Sequence, residues 1–513
     1  MFYLLRTWKP SFLLLCIASC CASDDLTALT STCNSLSSLL PGKVFFPGSV
    51  PYNASLSGSW YLDNRLTPIC FVKPQSASDV SSAVKVLKNS PSIQFAVRGG
   101  GHAFNPRFSG IDKGVTIDMS AMNTVDVIAD RFIASVGAGA VWSEVFNVLD
   151  TYNQSALGGR VSDVGVGGLI TGGGLAFFSP QRGFAADSVA NFQVVLSTGD
   201  IVNANATSNA DLFAALKGGQ NNFGIVTRFD IITFSQGPFW GGTLIFPNST
   251  DDQQIKAFTS FKTPANYDPY TSVEQSHVYV SAQNNTFLTS SSIYYSKPVV
   301  NASSLKVFTD IQPQIMNTLR ISNVSDFAEE VKSLGTPNQY SVWATTTFEI
   351  SPTILTKVLA AFRSSRLQIG AEVDSVVSSM TWQSIPPPPS NPLTPNSMGF
   401  SPSSTPQKNL VMVLISDFWT DPASEALIRA SLEALVDSID SISQDEGKFV
   451  PYKYLNYAAD FQDPLSTTGR KPLQQTVARK YDRAGMFQTQ VPGGFKFGVQ
   501  TDDGKDIGVK RGI

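Results

Sequence analysis

Histidine is the scarcest chemistry-bearing residue here: two, His102 and His277, in 513 residues. That removes most metal centres, which are built on histidine clusters. Cysteine is nearly as rare. Of five, Cys16, Cys20 and Cys21 fall in the first 22 residues, so no thiolate cluster is expected in the remainder. The chain has no Gly-x-Ser-x-Gly elbow to present a nucleophile, no Gly-x-x-x-x-Gly-Lys-Ser/Thr phosphate loop and no strict Gly-x-Gly-x-x-Gly fingerprint. Charge is thin as well. Only 15% of residues carry it, the net value is −3, and no long Lys/Arg run occurs. Composition therefore offers no nucleic-acid or anionic-membrane partner. A large chain so poor in reactive side chains is expected to borrow its reactivity from a cofactor.

What is present points to a folded, exported protein. Apolar residues reach 42%, with 38 glycines and 30 prolines, and the length predicts two domains with full cores. Residues 1–22 read as a secretory signal peptide: Arg6 and Lys9, then an apolar run from Ser11 ending in small residues at Ala22. That run is too short to span a bilayer. Cleavage would leave Cys33 and Cys70, an even pair expected to form one disulfide in an oxidising compartment. Asn53, Asn153, Asn205, Asn248, Asn284, Asn301 and Asn323 each open a glycosylation sequon.

The glycines mark where a cofactor would sit. The strand-like run 92–97 leads straight into Arg98, Gly99, Gly100, Gly101 and His102. Three consecutive glycines are neither helix nor comfortable strand, but their backbone N–H groups can close on a phosphate. Residues 165–174 repeat the device with Gly165, Gly168, Gly172 and Gly174. His102 closes the first loop, beside the place for a cofactor's head. His277 lies in a strand-like run, 274–280, and reads as structural.

These residues resemble a known family. Arg98-Gly-Gly-Gly-His102 is similar to the Arg-x-Gly-Gly-His motif of FAD-linked oxidoreductases of the vanillyl-alcohol-oxidase or PCMH type, in the berberine-bridge-enzyme-like branch. Residues 117–123, 136–142, 183–187, 195–200, 211–219 and 222–227 follow in the family's order, and 452–457 and 480–487 match near the C-terminus. The resemblance implies an α+β architecture. A two-part FAD-binding domain would span 61–236, after an N-terminal extension at 23–60 tied down by Cys33–Cys70. A sheet-and-helix substrate domain would span 237–445, and a C-terminal segment, 446–500, would return to the FAD domain.

The same resemblance implies FAD bonded to His102, with residues 98–102 cradling the pyrophosphate. The 165–174 loop, Gly224 and Ile225 would complete the pocket. Many members carry a second flavin link from a cysteine in Cys-Pro-Thr-Val-Gly. Here that stretch is Val161-Ser-Asp-Val-Gly165, so a single link is expected. Val164 matches a position that gates oxygen in the family, and its modest side chain suggests an oxidase. Tyr454 is the expected catalytic base, with Asn456 orienting flavin or substrate and Tyr457 as the weaker alternative. The expected reaction transfers hydride from a small organic substrate, an alcohol or a secondary-metabolite intermediate, to flavin and then to O2. A carbohydrate oxidase and a flavoprotein with mainly a binding or surface role are the alternatives. The stretch Ser384-Ile-Pro-Pro-Pro-Pro-Ser-Asn-Pro392, with the Ser/Pro-rich residues to about 406, is expected to be a loop.

Overall fold

The computed structural model describes residues 27–386, 396–399 and 409–498. The expected leader, 1–22, and most of the proline-rich stretch lie outside the described residues. Three sheets carry the fold, which is mixed α and β as expected. The first, of four strands, has the order Val44–Phe45, Cys70–Val72, Val115–Asp118, Phe95–Arg98, with parallel pairing among the last three. Parallel strands of one sheet need a crossover. The helix Ala77–Lys88 supplies one, capped by the Ser76 hydroxyl, and turns Val80, Val84 and Leu87 inward. The Cys33–Cys70 disulfide is formed, and it fastens the segment before the first sheet to a strand of that sheet.

The second sheet is antiparallel. It runs Val125–Ile128, Ile133–Gly137, Ile225–Ser235, Val189–Val195, Ile201–Asn205, and Gln154–Ala156 pairs the far end of the long Ile225–Ser235 strand.

The third sheet, of nine strands, determines the site. Its central strands are Thr271–Val280, Val377–Ser384, Leu410–Trp419 and Tyr340–Glu349, all antiparallel. Side chains alternate between faces with period two. One face carries His277, Tyr279, Met380, Trp382, Val411, Val413, Ile415, Val342 and Ala344 into a core shared with the helices Asp251–Lys262, Pro352–Glu372 and Glu425–Asp445. Pro352 opens its helix at the position where a missing N–H costs nothing, and the Ser351 hydroxyl accepts from Ile354 N. The other face carries Glu274, Ser276, Trp343, Thr381, Gln383 and Leu414, and it looks onto a large cavity.

The C-terminal residues then return to the first two sheets. The helix Lys471–Tyr481 packs on the helix Ala210–Leu216. Gln490 Nε2 donates to the carbonyls of Leu87, Ser90 and Ile93, and Asn222 Nδ2 donates to Phe495 O at 2.9 Å.

Candidate active site

A cavity of about 430 Å3 lies between the glycine segments and the polar face of the third sheet, within the range of sites that bury a small molecule. Gly99, Gly100, Gly101, His102, Val164, Gly165, Gly168, Gly224 and Ile225 all line it. The two glycine segments touch each other. A Cβ placed on Gly100 would sit 2.4 Å from Gly165 Cα, and one on Gly165 would sit 2.4 Å from Gly100 N. Gly101 has φ +72, a left-handed conformation that disfavours any side chain. The result is a wall of bare backbone facing a long cavity. A dinucleotide can lie against such a wall with its phosphates on main-chain N–H groups, and the donor set therefore fits FAD.

Three expected cofactor contacts are not in that wall. Arg98 is buried away from the cavity. It pairs with Asp118, its neighbour in the adjoining parallel strand, at 2.7 Å, because a buried guanidinium needs a counter-charge. Gly172 gives room to Asn456, whose Oδ1 would be 1.8 Å from an added Cβ. Gly174 donates its N–H to the Tyr454 hydroxyl at 2.9 Å. The expected second loop is itself partly helical: residues Val166–Thr171 form a short helix.

Tyr454 and Asn456 both border the cavity, but their polar groups bind the protein. The Tyr454 oxygen accepts from Gly174 N and from Asn456 Nδ2, and Asn456 Nδ2 also donates to Leu169 O at 2.9 Å. Burial and the neighbouring Tyr457 push the Tyr454 phenol well above its ordinary value, outweighing those two donors. A tyrosine harder to ionise than in water is a weaker candidate for a base at neutral pH.

Tyr457 stands differently. Its hydroxyl accepts from Arg160 Nη2 at 2.9 Å, so negative charge developing on it would meet a guanidinium. Arg160 also pairs with Glu274 and donates to Gln383 at 2.9 Å, both on the polar face of the third sheet. Arg160, Glu274, Gln383 and Tyr457 thus form one charged network along the cavity. Sequence reading missed the first three. The alternation in 274–280 holds the signal for Glu274, since it sets a carboxylate opposite the face that buries His277. Nothing near Arg160 in the sequence marks it.

His277 is structural, as expected. It is buried against Trp382, and burial lowers its pKa to about 3, so it stays neutral. His102 is stacked on Trp60 at 5.0 Å and met edge-on by Tyr61 at 5.6 Å.

The comparisons with known proteins agree with this geometry. Residues 68–205 match the model of an FAD binding domain. The chain is 34% identical over 476 residues to the FAD-dependent monooxygenase sdcF of Emericella nidulans, covering 90% of this chain and 98% of that protein. The fold matches the berberine-bridge-enzyme-like protein 1 of Physcomitrella patens, variant D396N, with TM-score 0.74, 18% identity and coverage of 94% and 100%. It also matches the carbohydrate oxidase of Microdochium nivale with TM-score 0.71, 20% identity and coverage of 90% and 99%.

Proposed function

The chain belongs to the FAD-linked oxidoreductases of the berberine-bridge-enzyme-like type, and we propose from this premise that it is a secreted oxidase of a small organic molecule, with its flavin bonded to His102. The observation that carries the reading is the cavity itself, a bare-backbone wall on one side and the Arg160–Glu274–Gln383–Tyr457 network on the other.

When bound, the flavin supplies a two-electron acceptor. The protein's part is to seat the substrate and take its proton. Tyr457 acts as its phenolate, held against the Arg160 guanidinium, and the alcohol or phenol hydrogen passes to its Oη to leave the neutral phenol. Trp343 and Leu414 offer apolar surface for an aromatic substrate, and Glu274 and Gln383 offer polar ends. Val164, in the same wall, has the modest size that leaves oxygen a way in. Tyr454 and Asn456 hold the glycine segment in place rather than taking a proton.

Secretion is supported by the leader-like residues 1–22, by the disulfide and by the sequons. Asn53, Asn153, Asn248, Asn284, Asn301 and Asn323 are exposed. Asn205 is partly buried and its side chain is engaged on both sides, by Asn191 and by Thr207 and Ser208. It is the sequon expected to stay unmodified. Among the described residues no helix is long and apolar enough to cross a membrane.

A second reading follows from the similarity to the FAD-dependent monooxygenase sdcF of Emericella nidulans: one oxygen atom would enter the product. Turnover under 18O2 with peroxide counted separates the two. One peroxide per substrate and no label in the product supports the oxidase, whereas labelled product without peroxide supports the monooxygenase. Oxidation of oligosaccharides, with aromatic substrates inert, would replace both with the carbohydrate reading. A purified protein that binds no flavin would overturn all three and leave a binding or surface role.

A further inference from the structure

His102 is held on three sides. Trp60 and Tyr61 fix the plane of its ring, and Asp163 stands at its third side, with Oδ1 3.5 Å from Nε2. Both of these atoms are buried, and neither has a hydrogen-bond partner among the described residues. Left open, each would carry an uncompensated desolvation cost. They face each other, and an approach of about half an ångström makes an ordinary hydrogen bond.

The backbone carrying Asp163 is pinned from both sides. Ser143 N donates to Ser162 O at 2.7 Å, Trp142 N to Val164 O at 3.1 Å, and Ser162 Oγ to Glu329 at 2.6 Å. A carboxylate only accepts, so in this pair Nε2 carries the hydrogen and Nδ1 keeps its lone pair. Nδ1 takes no hydrogen bond among the described residues, and the ring lines the cavity.

We propose that Asp163 is the positioning residue for flavin attachment: by accepting from Nε2 it holds His102 in the tautomer whose Nδ1 is the nucleophile. The proposal rests on the reading that His102 carries the flavin. A bond forms between Nδ1 and the flavin 8α carbon, and a C–H bond at that carbon breaks. The electron pair left behind reduces the ring system. The methyl proton and the Nε2 proton, the latter passing by way of Asp163, leave with those two electrons to dioxygen, which becomes hydrogen peroxide. The carboxylate thus steers the ring before attack and stabilises the imidazolium formed by it, as an orienting carboxylate does beside other nucleophilic or metal-bound histidines.

The test compares wild type, Asp163→Ala and His102→Ala, each incubated with FAD and acid-precipitated over time. The readout is the fraction of bound flavin that stays with the pellet, so a variant that merely binds less flavin does not mimic the effect. His102→Ala is expected to bind flavin and link none. Asp163→Ala is expected to link it at least ten-fold more slowly than wild type. Equal rates would overturn the proposal. A wild type whose own flavin washes out would instead overturn the covalent reading of His102.

Should Asp163→Ala fail to hold flavin at all, the tautomer decides. The chain has two histidines, and His277→Gln identifies the second, so 15N-histidine NMR of the flavin-free wild type reads His102 directly. Hydrogen on Nε2 is the expected result, and hydrogen on Nδ1 overturns the proposal.

Discussion

Two tyrosines three positions apart in the chain take different work because their oxygens meet different partners. Tyr457 accepts from a guanidinium, whereas Tyr454 accepts from a backbone N–H and an amide. Tyr457→Phe is expected to lower kcat by a factor of about 10^2 to 10^4 with the flavin still bound. Tyr454→Phe is expected to cost about 1–3 kcal/mol of stability and to leave kcat within a few-fold of wild type. Stopped-flow flavin reduction and thermal melts of the two variants check both. A Tyr454→Phe variant that folds normally but is never reduced would restore the ranking expected from the sequence.

A second residue carries a pH signature. Asp63 accepts from Ser341 N at 2.9 Å, and burial raises its pKa from 3.8 to about 7. Between these values the folded chain holds a proton that the unfolded chain releases, so stability falls as pH rises through that window, by up to about 4 kcal/mol. Asp63→Asn removes the penalty. Its melting temperature, compared with wild type, should be clearly more favourable at pH 8 than at pH 4.

At the scale of elements, the sequence showed most of what is regular. The strand-like runs at 92–97 and 274–280 overlap the observed Phe95–Arg98 and Thr271–Val280. Apolar alternation and β-branched residues are local signals, and here nothing overrides them. The helix Pro352–Glu372 likewise starts on a local signal, the Ser351 cap followed by Pro352 in the first turn. The glycine segments were legible as special but not in their reason. Part of what Gly100 and Gly165 do is let two chain segments meet, a tertiary fact with no sequence period. The same holds for Arg160, whose partners lie far along the chain at 274, 383 and 457. Gly100→Ala places a methyl against backbone that has no side chain to swing away. We expect that variant to melt several degrees lower and to purify without flavin colour. An absorbance spectrum and a thermal melt of the purified protein check it.

At the scale of the molecule, the disulfide joins residues 37 positions apart. Loop closure of that length constrains the unfolded chain by about 4 kcal/mol in the entropic model. Reduction, or the Cys33→Ser and Cys70→Ser pair, should therefore lower the midpoint of denaturant unfolding without changing the flavin spectrum. Equal midpoints in oxidised and reduced protein would remove the bond from any account of stability.

The cavity has a further consequence through its ancestry in the chain. One wall comes from residues 97–229, the opposite face from the third sheet, and the remainder from residues 454–494. A ribosome delivers these in that order, so a half-made chain holds a cradle with no roof. Tyr454, Tyr457 and Phe487 arrive only after the whole intervening sheet has been synthesised. Cofactor loading is therefore a late event, and a chain that retains its flavin reports that residues 454–494 have found their place.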